Sequence, residues 1–141
     1  MIIRCAKCEQ KNRIPAERAD QSARCGNCGA TIKATGQPVA IGAKAFADLV
    51  ANSPLPVFVD FWAPWCGPCR MVAPEVEELA RRLEGEVIVA KLDTQKHPAV
   101  AQQEGVRGIP MFALYRDGER VATKAGYMKA DELARTFDLD G

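Results

Sequence analysis

Val57-Phe58-Val59-Asp60-Phe61-Trp62-Ala63-Pro64-Trp65-Cys66-Gly67-Pro68-Cys69-Arg70 is the stretch from which the rest of the chain is best read. Its first half, Val57 to Trp62, is apolar, β-branched and aromatic, which predicts a buried strand. After Cys69, the residues Val72, Val76, Leu79, Ala80 and Leu83 recur at i, i+4, i+7, i+8 and i+11, one face of a helix. Cys66 therefore falls where a strand hands over to a helix N-terminus. Unpaired N–H groups and the helix dipole favour an anion there, which lowers a thiol's pKa toward a reactive thiolate. Pro68 fits the first turn, where its missing N–H costs nothing, while Pro74 is expected to kink the helix. Asp60 lies inside an otherwise apolar strand. A buried carboxylate is costly unless it titrates or finds partners, so a raised pKa is expected.

Working outward, every one of the six cysteines belongs to a C-x-x-C pair: Cys5/Cys8, Cys25/Cys28 and Cys66/Cys69. The first four read C-A-K-C and, sixteen residues later, C-G-N-C-G. That spacing is the one expected of a zinc ribbon, with Cys5, Cys8, Cys25 and Cys28 around one tetrahedral Zn2+. Gly26 and Gly29 are expected to relieve the backbone where the second turn folds back. Few large apolar residues accompany the cluster, mainly Ile14 and Ile32, so metal is expected to supply the folding energy of this segment. Two structural disulfides are the alternative, disfavoured in a reducing compartment. For the third pair a metal would need further ligands, and His97 is the only histidine. Redox chemistry is the expected role of Cys66 and Cys69.

The chain has 141 residues, 48% of them hydrophobic and 26% charged. That is room for one ordinary domain with a small appendage and excludes a disordered chain. No apolar run reaches the roughly 18 residues of a membrane span. Met1-Ile2-Ile3-Arg4-Cys5 lacks a basic region followed by an apolar core, so a soluble, cytoplasmic protein is expected. Charge is uneven. Residues 1–34 carry seven Lys/Arg against three acids, and the remainder is net −3. A basic front raises the question of nucleic acid, but no aromatic residue precedes Phe46, so no stacking platform exists there. No nucleic-acid partner is expected.

Asp60 to Cys69, with its core Trp65-Cys66-Gly67-Pro68-Cys69, resembles the active-site stretch of thioredoxin. From about Val39 onward the order of elements is similar too. A helix is expected over Ala43–Ala51, a strand over Glu86–Asp93 and a short helix over Pro98–Gln103. Strands over Met111–Tyr115 and Arg120–Lys124 join through Asp117-Gly118, a tight-hairpin signal, and Ala130–Phe137 closes as a helix. The expected fold is α/β: a thioredoxin fold, with a central mixed β-sheet flanked by helices, carrying a small N-terminal zinc ribbon. The ribbon is expected over 1–34, a linker over 35–38 and the thioredoxin domain over 39–141. The combination resembles the second type of bacterial thioredoxin, which carries a zinc-binding extension.

The resemblance implies roles residue by residue. Cys66 is the nucleophile and Cys69 the resolving thiol, with Asp60 the buried acid that exchanges a proton with Cys69. Lys91 modulates that acid; on the residues alone a strand lysine with its head in water is equally open. Gly108-Ile109-Pro110 is the loop with a cis-proline opposite the thiols, where the backbone of Ile109 pairs with an extended substrate and Pro110 shields the thiols from metal. Gly126 gives close backbone approach, Trp65 is a groove aromatic, and Trp62 belongs to the core. Gly67 and Pro68 resemble the reducing members, since oxidising relatives usually carry a histidine there. Pro64 departs from the pattern at a site where relatives often carry a polar residue. The implied activity is protein-disulfide reduction, without an organic cofactor, by a monomer recycled by a flavin- and NADPH-dependent thioredoxin reductase. The alternatives are a zinc-ribbon adaptor with the thioredoxin domain as scaffold, and a disulfide oxidase or isomerase. The ribbon's role stays open among redox sensor, docking module and structural unit.

Overall fold

The computed structural model describes residues 1–139. The apolar run at 57–62 becomes β6 (Val57–Trp62), with the other strands of its sheet arranged around it. These are β5 (Val39–Ala40), β7 (Ile88–Asp93), β8 (Met111–Arg116) and β9 (Glu119–Ala125), in the order β5-β7-β6-β8-β9. β5 and β6 run parallel to β7, while β8 is antiparallel to its neighbours β6 and β9, which makes the sheet mixed. Asp117 and Gly118 both take left-handed φ values, 52° and 85°, and close the β8–β9 hairpin between Arg116 and Glu119. Four helices complete the set: α1 (Ala43–Asn52), α2 (Gly67–Arg82), α3 (Pro98–Gln103) and α4 (Ala130–Thr136). α2 runs through Pro74 as one uninterrupted element.

Period-two alternation sorts the central strands onto two cores. Val57, Val59 and Phe61, with Ile88, Ala90, Leu92, Ala113 and Tyr115, face α1 through Phe46 and Leu49. Phe58, Val89, Phe112 and Leu114 face the other way, against Val72, Val76 and Leu79 of α2 and Leu133 of α4. The parity puts Asp60 and Lys91 on the α2 side of the sheet, in register with each other across β6 and β7. α2 and α4 are clamped by Glu75, whose Oε1 accepts the Ala130 N–H at 2.9 Å.

The N-terminal segment forms two small hairpins, β1 (Ile2–Arg4) with β2 (Lys11–Arg13) and β3 (Ala23–Arg24) with β4 (Thr31–Ile32), around a 3₁₀ turn at Ala16–Arg18. Its few apolar residues do not form a separate core. Ile3, Ile14, Ala16, Ala19, Ile32 and Ala34 join the same buried cluster as Val39, Ile41, Phe46 and Leu49. The expectation that metal alone supplies this segment's folding energy is therefore corrected: docking on the α1 side of the sheet contributes as well. The stretch 35–38, which composition marks as a linker, is a packed turn. Thr35 is buried and its Oγ1 accepts the Gly85 N–H at 2.9 Å. Gly36, at φ +93°, lies against Glu84, which also pairs with Lys33 at 3.4 Å.

A redox dithiol and a four-cysteine cluster

Four residues separate the end of β6 from α2, and the last of them, Cys66, occupies the N-cap of that helix. Its N–H is held by the Ala63 carbonyl at 3.1 Å, and its Sγ accepts the Cys69 N–H at 3.2 Å. This is the donor a thiolate needs at a helix start. Cys66 and Cys69 form a disulfide with Cα atoms 5.2 Å apart, and both are nearly inaccessible, 4% and 1% exposed.

Three other segments converge on the pair. The Cys66 Sγ lies 3.7 Å from the carbonyl oxygen of Ile109, and the Ile109–Pro110 bond is cis, as expected of this loop. The Pro110 carbonyl accepts the Gly126 N–H at 2.9 Å, and Gly126 takes φ +105°, a conformation open to glycine. A Cβ added at Gly67 or Gly108 would meet open space, so both leave backbone accessible beside the sulfurs. Trp65 is 69% exposed, and with Ile109, Thr94, Gln102, Val106 and Arg107 it lines a groove of about 440 Å³. Pro68 sits in the first turn of α2.

Asp60 is fully buried and neither carboxylate oxygen has a hydrogen-bond partner. Burial pushes its pKa up to about 7, against the opposing pull of the Lys91 charge. Lys91 makes no ion pair with Asp60; its Nζ lies 4.5 Å from the centroid of the Trp62 ring. Trp62 is half-buried rather than a core residue, which corrects the sequence expectation. It packs against Ala63, Cys66 and Cys69 and offers its face to the lysine. The cation–π seat of Lys91 was not legible in the sequence; the only signal is that residues 62 and 91 point to the same sheet face.

In the N-terminal segment, the sulfurs of Cys5, Cys8, Cys25 and Cys28 all lie within 4.8 Å of one another. Cys5 and Cys28 approach to 3.6 Å and Cys8 and Cys25 to 3.5 Å. A tetrahedral zinc site with bonds of about 2.3 Å has sulfur–sulfur edges of about 3.8 Å, so the cluster is the right size for one such ion. The two knuckles repeat each other. The Glu9 and Gly29 N–H groups bond back to the Cys5 and Cys25 carbonyls at 2.8 and 2.9 Å, and both residues are left-handed, at φ 66° and 76°. Gly26, expected to relieve the backbone, has no such φ; only Gly29 does. N–H groups of Cys28 and Asn27 bring the Cys25 pKa down to about 6. An N–H from Ala30 favours the Cys28 thiolate, but desolvation and the neighbouring sulfurs outweigh it and push Cys28 up to about 11. Four thiolates repel one another, and a divalent cation is what relieves that repulsion.

Asn12 was missed by the sequence reading. It bridges the knuckles, its Oδ1 accepting the Gly26 N–H at 3.0 Å while Nδ2 donates to the Gln10 carbonyl at 3.0 Å and the Cys25 Sγ at 3.5 Å. No motif marks it, because Gly26 and Cys25, the partners that make it a bridge, lie on the other hairpin.

Comparison with known proteins agrees with this geometry. The family model described as Thioredoxin matches residues 37–138, and the one described as Thioredoxin 2, N-terminal, matches residues 4–30. The chain is similar to Thioredoxin C-3 of Corynebacterium nephridii, 36% identical over 98% of this chain and 94% of that one. It is 50% identical to Thioredoxin 1 of Synechococcus elongatus over 66% of this chain and 87% of that protein. Among solved structures, a mutant thioredoxin from Halobacterium salinarum aligns with a TM-score of 0.67 at 33% identity, covering 76% of this chain and 94% of the other. With both of its regions matched and its two remaining sulfurs joined at the start of α2, the chain belongs to the thioredoxin family and is a thiol–disulfide oxidoreductase.

Proposed function

We propose that the chain reduces protein disulfides, with Cys66 as nucleophile and Cys69 as resolving thiol. The observation that carries the reading is the unpartnered carboxylate of Asp60, buried on the α2 side of the sheet in the strand that leads to the helix N-cap holding the nucleophile. The Cys66 thiolate, stabilised by the Cys69 N–H, attacks a substrate disulfide. One S–S bond breaks, a mixed disulfide forms, and one substrate thiolate leaves. Cys69 then gives its proton to Asp60 and attacks the Cys66 sulfur, which expels the second substrate thiolate. The substrate has gained two electrons and the chain holds the Cys66–Cys69 disulfide.

An acid with a pKa near 7 can take and return a proton at neutral pH, as an ordinary aspartate cannot. Lys91 acts as a positioning residue: seated on Trp62, it keeps a positive charge near Asp60 without neutralising it. Ile109, next to the cis bond, offers backbone to an extended substrate, and Pro110 closes the loop over the sulfurs. Trp65, Gly67, Pro68, Gly108 and Gly126 leave room for the substrate strand.

Cys5, Cys8, Cys25 and Cys28 would hold one Zn2+, which supplies charge neutralisation and cross-links the two hairpins. Free thiols of this kind fit a reducing cytoplasm, and among the described residues no helix is long and apolar enough to cross a membrane. Recycling is assigned to a flavin- and NADPH-dependent reductase. Insulin reduction with dithiothreitol as electron source tests the reading. It requires a rate that vanishes in Cys66→Ser, and an unchanged rate in that variant would overturn it.

A further inference from the structure

Two grooves flank one loop. Thr94, on one side, lines the groove beside Trp65 and Ile109. Lys96, two residues on, lines a second groove of about 540 Å³, whose walls include Ile2, Arg4 and Lys11 of the ribbon, Gln37 of the turn before β5 and Ala40 of the sheet edge. The loop between them is pinned. The Thr94 N–H and Oγ1 both donate to the Trp62 carbonyl, at 2.8 and 3.1 Å. The Asp93 carboxylate accepts the Gln95 and Lys96 N–H groups at 2.9 and 3.3 Å. The dithiol side and the ribbon side of this loop therefore keep a set spacing.

Every charged side chain lining the second groove is cationic: Arg4, Lys11 and Lys96. Glu9 reaches Arg4 at 3.9 Å, but both side chains are mostly in solvent, so the pair is weak. The groove is also framed by unused backbone. Met1 and Ile14 exchange N–H···O bonds, and Cys5 donates to Gln10, so alternation turns the N–H and C=O groups of Ile2 and Arg4 away from β2. Opposite them, the Ile41 N–H bonds to the Lys91 carbonyl, which turns Ala40 out of the β5–β7 ladder at the edge of the sheet. Among the described residues no backbone hydrogen bond joins β1 to β5.

We propose that this groove binds an extended, acidic segment of the disulfide-bearing substrate, so that the ribbon and the dithiol read one polypeptide on either side of the Thr94–Lys96 loop. The inference rests on the reductase reading and adds a substrate class: proteins with an Asp/Glu-rich extended stretch a few residues from the reactive cysteine. Cα atoms of β1 and β5 come within 8 Å, too close for a strand between them. The segment therefore lies along the mouth of the groove, takes main-chain hydrogen bonds from one edge only, and presents its acidic side chains to the three cations. Nucleic acid would use the same charges, but residues 1–45 hold no aromatic side chain on which a base could stack.

The test uses the full-length, metal-loaded chain and disulfide-linked peptides with one neutral core around the cysteine. Six-residue arms of alternating Glu and Val, Lys and Val, or Ser alone are placed before or after that core. The Glu arm, on one side, is expected to raise kcat/KM about ten-fold over the Lys arm at low salt, through KM, with the difference shrinking at about 0.5 M salt. Lys11→Glu and Lys96→Glu, both at exposed positions, should each reduce the preference, and with Arg4→Glu added it should vanish. A cysteine-free Glu–Val peptide should shift the amide resonances of Ile2, Arg4 and Ala40. Equal kcat/KM for all arms, a preference that survives charge reversal, shifts confined to other residues, or displacement of the peptide by an eight-nucleotide oligo-uridine at lower concentration would overturn the proposal. Failure to turn over even the Ser-armed peptide would sink the reductase reading instead, and the cysteine-free titration would then decide the groove.

Discussion

The two cysteine-bearing regions use one spacing for two outcomes, and the residues that follow each pair account for the difference. After Cys8 and Cys28 come Glu9 and Gly29, both left-handed, and each chain folds back as a hairpin whose sulfurs face the other knuckle. After Cys69 comes Arg70, whose N–H bonds to the Cys66 carbonyl at 3.2 Å and carries the chain on into a helix. There the two sulfurs can face only each other. The same two-residue spacing builds a four-sulfur cluster when the backbone reverses and a redox dithiol when it coils. Burial sharpens the contrast: the dithiol is almost inaccessible and follows a strand that buries an unpartnered acid, while the ribbon thiols sit among one another and backbone N–H groups.

Breaking one region should leave a signature unlike that of the other. Cys66→Ser is expected to remove disulfide reduction by a factor of about 10³ or more while the ribbon keeps its metal, checked by turnover and zinc content together. Stripping metal with a chelator should do the converse to stability. Because the ribbon shares a buried cluster with α1 and the sheet, the whole chain should lose about 2–3 kcal/mol, roughly 5–10 °C in Tm, in one transition. Two separate calorimetric transitions would show the regions to be independent.

Asp60→Asn sharpens the dithiol side. The folded pKa of Asp60 is about 7, above its ordinary 3.8. The folded chain therefore binds the proton more tightly, and stability falls as pH rises from about 4 to 7. The variant should match the parent near pH 3 and exceed it by roughly 2–4 kcal/mol at pH 8, while its reduction rate loses the titration near pH 7. Denaturant melts across pH check the first statement and rate profiles the second.

Asn12→Ala is the smaller cut on the ribbon side. Losing the bridge between knuckles should speed zinc release to a colorimetric chelator about ten-fold, with insulin reduction nearly unchanged. Thr35→Ala tests the junction and should have the least effect. The Gly85 N–H loses its acceptor, costing about 1 kcal/mol in urea melts.

Much of this molecule was legible from its residues. The strand at 57–62, the helix from 67, the short helix at 98–103 and the Asp117-Gly118 turn follow from local patterns, and the raised pKa of Asp60 follows from one acid in an apolar strand. Trp62 was misjudged because an aromatic in a strand reads as core, while its seat beneath Lys91 depends on the pairing of β6 with β7. The packing of residues 35–38 was not legible because Gly, Gln and Pro mark a turn whether or not that turn is packed.

Chemistry that depends on neighbours within a few residues, such as a thiol at a helix start or two sulfurs on one knuckle, is written in spacing. What joins distant segments is not: the ribbon merging with the core through Ile3, Ile14 and Ile32, the Ile109 carbonyl arriving beside Cys66, and Asn12 spanning both knuckles. Local geometry is set by bonds and dihedrals that adjacent residues share. Contacts across dozens of residues are chosen by the packing of the whole chain, which no short window of sequence contains.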